Sequence, residues 1–63
     1  MEFRLNIHAD NAAFELDREQ EIATILREVA AKLEKGNDFS KFQTLLDFNG
    51  NDVGRAALKE DFT

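Results

Sequence analysis

Asp47, Asn49 and Asn51 place three oxygen-bearing side chains at alternate positions. An EF-hand calcium loop opens this way, and it also needs glycine at its sixth position and a bidentate glutamate at its twelfth. Here those positions hold Asp52 and Leu58, and glycine falls fourth, at Gly50, where a hairpin turn wants it. The missing acid removes both charge and ligands, so the segment reads as a turn. His8 is the only imidazole. A general base needs a positioned partner and a pocket, and no Ser-His-Asp or Cys-His pattern accompanies it, so it reads as a solvated strand histidine. Glu15, Asp17, Glu19 and Glu21 form an acidic run that could imitate a phosphate backbone, although Arg18 interrupts it. Acids at a helix start are also expected from the dipole alone. Phe39, Phe42, Phe48 and Phe62 crowd the last third of the chain. They read mainly as core, with an outward ring marking a partner site. No catalytic, cofactor-binding or metal-ligating residue is assigned.

The composition narrows the remaining classes. Sixty-three residues allow one core and little room for a deep pocket. The absence of cysteine excludes disulfides and thiolate metal sites. Thirteen acids against eight bases give a net charge of −5, which argues against direct nucleic-acid binding, since that rests on Lys and Arg neutralising phosphates. The polar–apolar alternation from Glu2 to His8 lacks the unbroken apolar run of a signal peptide, so secretion is not expected, and no stretch approaches the roughly 18 apolar residues of a membrane span. The expected setting is cytoplasmic, with no membrane contact.

The elements that must position these residues follow from periodicity. Phe3, Leu5, Ile7 and Ala9 alternate with polar residues from Glu2 to Asp10, the pattern of a half-buried strand. Asp10-Asn11 turns the chain and Phe14 anchors the crossing. Asp17 is placed as an N-cap with Gln20 three residues on. Ile22, Leu26, Val29 and Leu33 then form an apolar stripe, widened by Ile25 and Ala30, which is expected to bury against Phe3, Leu5 and Ile7. Gly36 ends the helix, giving a span of 18–35. A second strand covers 42–48, Asn49-Gly50-Asn51-Asp52 turns, and Val53 to Lys59 returns, with Gly54 marking a bulge or a close backbone approach. Residues 60–63 are expected to fray, unless Phe62 folds back on the core.

The fold class is therefore α+β, in the order β-α-β-β: one helix packed on a three-stranded, mainly antiparallel sheet, in a single domain over 1–63. Placing the third strand centrally makes every pairing antiparallel, so the order 1-3-2 is preferred to 1-2-3. Either order leaves two sheet edges, which offer a route to a homodimer.

Asn11-Ala12-Ala13-Phe14, Glu21-Ile22-Ala23 with Ile25-Leu26-Arg27, Leu33-Glu34 before Gly36, and Asp47-Phe48-Asn49-Gly50-Asn51 with Val53-Gly54 together resemble a group of small uncharacterised phage and prophage proteins. The resemblance runs from the first strand to the hairpin, 37–44 excepted, and its pieces are structural. It implies a bacterial or phage origin, an intracellular setting and an accessory role. It supplies no substrate, cofactor or site. The expected function is a small acidic protein-interaction module without enzymatic activity. The alternative is an acidic inhibitor, or DNA mimic, that blocks a host nucleic-acid-binding protein.

Overall fold

The computed structural model describes residues 1–62; Thr63 lies outside the described residues. The elements are β1 (Glu2–Ile7), a 3-10 turn (Ala12–Phe14), α1 (Arg18–Glu34), β2 (Gln43–Leu46) and β3 (Asp52–Lys59). The sheet order is β1-β3-β2 with both pairings antiparallel. This is the α+β, β-α-β-β architecture, with the third strand central.

The local signals explain the boundaries. The Asp17 carboxylate accepts a hydrogen bond from the Gln20 backbone N–H at 3.1 Å and caps the helix. The Gln20 side chain does not return to close a capping box; it donates to Thr24 Oγ1 at 3.4 Å. At the other end, Asn37 N–H reaches the Lys32 carbonyl at 3.0 Å and Gly36 N–H the Leu33 carbonyl at 3.1 Å. That pair of bonds is a Schellman closure, with Gly36 in the left-handed region at φ +83°.

The helix is rotated from the expected stripe. Ile25 and Val29 are buried and Ile22 is half-buried, but Leu26 and Leu33 are 44% and 41% exposed. The inward line therefore follows positions 22, 25 and 29 rather than 22, 26, 29 and 33. Both lines satisfy helical spacing. A narrow sheet accepts only one of them, and two features of the tertiary structure fix which. Gly54 and Ala56 present almost no side chain on the central strand, and the turn before the helix inserts Ala13 and Phe14 into the core. The core unites Ala13, Phe14, Ile25, Val29, Phe39, Leu45, Val53 and Ala56, with Leu5, Ile7, Ala9, Ile22 and Leu58 packed against it. Phe3 joins at the rim, 40% exposed and 5.9 Å from the Phe39 ring.

Gly54 marks a close backbone approach. A β-carbon built there would lie 1.9 Å from the Asn6 carbonyl oxygen and 3.0 Å from Ile7 Cα. β1 thus runs against the central strand at a spacing that admits no side chain. β2 carries its own irregularity, a register shift between Leu45 and Leu46.

A candidate binding face on the open side of the sheet

Alternation divides the sheet into two faces. Leu5, Ile7, Leu45, Ala56 and Leu58 point toward the helix and belong to the core or its margin. Their neighbours point the other way, where no helix covers them. The register places Glu2 beside Lys59, Arg4 beside Ala57, and Asn6 beside Arg55 and then Thr44. An open groove of about 1040 Å³ runs along this side, bordered among others by Arg4, Asn6, His8, Arg55, Phe42 and Phe62.

One end of the groove is a cluster of rings and cations. The Arg4 guanidinium lies 4.4 Å from the centroid of the Phe62 ring. The Lys59 ammonium lies 4.5 Å from the Phe42 ring and 6.0 Å from Phe62. The two rings meet edge to face with centroids 6.5 Å apart. Phe42 is 55% exposed and Phe62 is half-buried. Ala57, paired with Arg4 on this side of the central strand, is fully buried yet outside the main core cluster. Cations over ring faces are attractive, roughly 0.5–1 kcal/mol each at exposed sites. Segment 60–62 is thus carried back over the sheet, on the side opposite the core.

The strands of this face differ in charge from the chain as a whole. They carry Arg4, Arg55 and Lys59 against Glu2 and Asp52, in a protein with thirteen acids and eight bases, and segment 60–62 adds Glu60 and Asp61. Arg4 pairs with Glu2 at 2.8 Å and Arg55 with Asp52 at 3.2 Å, both largely exposed. Pairs of this kind contribute little and exchange readily.

The residues singled out from the sequence are dispersed. His8 is exposed at the far end of the groove, and its backbone N–H donates to the Val53 carbonyl at 2.6 Å. Asp47 is 6% exposed and serves as the hub of the hairpin. Its Oδ1 accepts from the backbone N–H of Asn49 at 2.8 Å and of Asn51 at 2.9 Å. Its Oδ2 accepts from the side-chain amides of Asn11 at 2.8 Å and Asn51 at 3.3 Å. Burial alone would raise its pKa; the bonds from Asn51, Asn11 and Asn49 outweigh burial and hold it below the ordinary carboxylate value. Those four donors occupy the oxygens a calcium ion would need. Among the described residues, no group of three or more His, Asp or Glu side chains is placed to hold a metal ion.

The turn also starts earlier than the expected Asn49-Gly50-Asn51-Asp52. Gly50 N–H closes onto the Asp47 carbonyl at 3.0 Å, and among the described residues only Gly36 and Gly50 have positive φ. The turn therefore centres on Phe48 and Asn49, with Gly50 in the left-handed region after it. The acidic run is partly engaged: Asp17 caps the helix, and Glu21 Oε2 accepts from Phe48 N–H at 2.9 Å, tying the helix to the hairpin. Of the four late phenylalanines, Phe39 alone enters the core, and Phe48 is 71% exposed at the hairpin.

No helix among the described residues is long and apolar enough to cross a membrane. No family model, curated protein or solved structure matches the chain.

Proposed function

We propose that this chain is a small, non-enzymatic protein-interaction module, an accessory protein of phage or prophage origin acting in the cytoplasm, and that its partner docks on the open sheet face. The observation that carries this reading is the ring and cation cluster of Arg4, Lys59, Phe42 and Phe62 on a sheet side that no helix covers. Aromatic and arginine side chains are the groups that anchor protein interfaces. His8 lies exposed, with no side-chain hydrogen bond among the described residues to orient it as a base. The phage origin rests on the sequence resemblance alone. The residues that carry it include Asn11, Glu21, Gly36, Asp47 and Gly54, the joints of the fold. The DNA-mimic alternative gains nothing from the geometry, because Asp17 and Glu21 are committed to internal hydrogen bonds.

Site-specific photocrosslinking in a bacterial host tests the reading. A photoreactive residue at Thr44, on the open face, should give a discrete protein adduct that the same residue at Glu28, on the exposed side of the helix, does not. Adducts at Glu28 alone, or none at Thr44, would remove the open face as the docking surface.

A further inference from the structure

Segment 60–62 shows what the ring and cation cluster accepts. It reads Glu60-Asp61-Phe62, two carboxylates leading into an aromatic ring. The ring enters between Arg4 and Phe42, while Glu60 and Asp61 stay exposed. We propose that the open face recognises an extended, acidic-aromatic segment of a partner protein, and that segment 60–62 is an intramolecular stand-in which such a segment displaces. The inference rests on the open face being the docking surface and specifies the chemistry of its occupant.

Three observations support that occupant. Once segment 60–62 and its two acids leave, the strand face carries three cations against two acids in an otherwise acidic chain, which favours a negatively charged occupant on this side of the molecule. Segment 60–62 covers only the end of the groove near Arg4; toward Arg55 and His8 the groove continues open. Along β3, Arg55 lies two residues from Ala57, the position beneath the ring cluster, a distance of roughly 7 Å. An extended ligand whose ring takes the place of Phe62 therefore brings a carboxylate two positions from that ring to Arg55. The exposed Glu2 and Asp52 can release their arginines to such carboxylates at little cost. A nucleic acid is the poorer match. It needs phosphate neutralisation along its length, whereas this face has three cations interleaved with two acids.

The test uses the chain with Phe62→Ala, which empties the cluster without touching the core. The probe is an acetylated, amidated peptide, Glu-Asp-Phe-Thr-Asp, titrated while the protein amide NMR signals are followed. The expected result is saturable shifts at Arg4, Arg55 and Ala57, and none with the peptide carrying alanine for phenylalanine. The unmodified chain should bind about tenfold more weakly, because a tethered competitor acts at millimolar effective concentration. Arg4→Glu in the Phe62→Ala background should abolish the shifts. Absence of saturable shifts, equal binding of the alanine peptide, or tighter binding of an eight-residue oligothymidylate at the same amides would each overturn the proposal. If the peptide is silent while Thr44 still crosslinks to a protein, the acidic-aromatic chemistry is wrong and the docking face stands; if both are silent, the docking face falls as well.

Discussion

Gly54→Ala isolates one packing constraint from all others. Gly54 does not have positive φ, so its backbone conformation is open to any residue. Where alanine fits, replacing glycine usually stabilises a protein by about 0.4–1 kcal/mol through the unfolded chain. At this position the added β-carbon would sit 1.9 Å from the Asn6 carbonyl oxygen, where anything under 3.0 Å forces a shift. The obstacle is backbone, so no rotamer change relieves it. β1 must retreat by roughly 1 Å, at a point where Ile7 pairs with Gly54 and His8 N–H bonds Val53. Overpacking of this severity belongs at the upper end of the usual range, about 3 kcal/mol. A domain of this length has only about 3–9 kcal/mol in total.

The expected result is a fall in Tm of roughly 12–24 °C, with hydrogen-exchange protection lost first at Leu5 and Ile7. Gly50→Ala is the control with the opposite cause: φ is +82° but nothing lies within 4 Å. Its cost should be the left-handed penalty alone, about 1–2 kcal/mol, with β1 protection intact. Thermal melts of both variants, with exchange read strand by strand, measure the difference. A Gly54→Ala chain as stable as the parent, or one losing protection at the hairpin instead of at β1, would refute the close-approach reasoning.

Three further outcomes follow from the geometry. Ile25→Ala, at a site 3% exposed, should cost about 2–5 kcal/mol, whereas Leu26→Ala, at 44% exposure, should cost under about 1 kcal/mol; urea denaturation compares them, and reversed costs would place the helix in the other rotation. Asp47 has its pKa lowered in the fold, so the folded state binds fewer protons there, and its contribution is full above the unfolded value of about 3.9 and lost as pH falls through the folded value; Asp47→Asn should flatten the acid limb of the urea midpoint between pH 5 and pH 2.5, and an unchanged slope would contradict the hub. Millimolar calcium should leave the amide signals of 47–54 in place, and saturable shifts that vanish in Asp47→Ala would show a site after all.

The parts of the fold legible in the sequence are those set by local periodicity and short-range capping. Asp17, Gly36 and the alternation from Phe3 to Ile7 each specify their element within a few residues. The strand order followed from connection geometry, because a central third strand makes every pairing antiparallel. The helix rotation was not legible. Ile25 and Leu26 are adjacent, equally apolar, and each completes a helical stripe with Ile22 and Val29. The deciding contacts come from Phe14 and from the bare strand at Gly54 and Ala56, which are distant in sequence. Asp47 was legible as a turn residue but not as a hub, for a similar reason. Its spacing with Asn49 and Asn51 marks the turn, while its fourth hydrogen-bond donor, Asn11, lies 36 residues away.

The candidate site was hidden by the rule that reads strands so well. Alternation assigns Arg4, Asn6 and His8 to a wet face, and a wet face carries no further expectation. What changes its character is a ring supplied from outside the strands. Phe62 follows β3 by three residues, beyond the end of any periodic segment, and Phe42 precedes β2 by one. Each reads alone as an end residue. The register brings them together, because Arg4 and Phe42 stand on either side of the end of the central strand that carries Lys59, and the return of segment 60–62 completes the group. A small chain with a single helix can cover only one side of its sheet. The other side must then be polar, paired across the sheet edge, or held by rings and cations that a partner can replace. Here the two cations that stack on rings, Arg4 and Lys59, both lie outside the core, and the ion pair of Arg4 with Glu2 is exposed. That combination of rings and cations is what distinguishes this side from an ordinary solvated strand face, and it arises only when three segments separated in sequence converge.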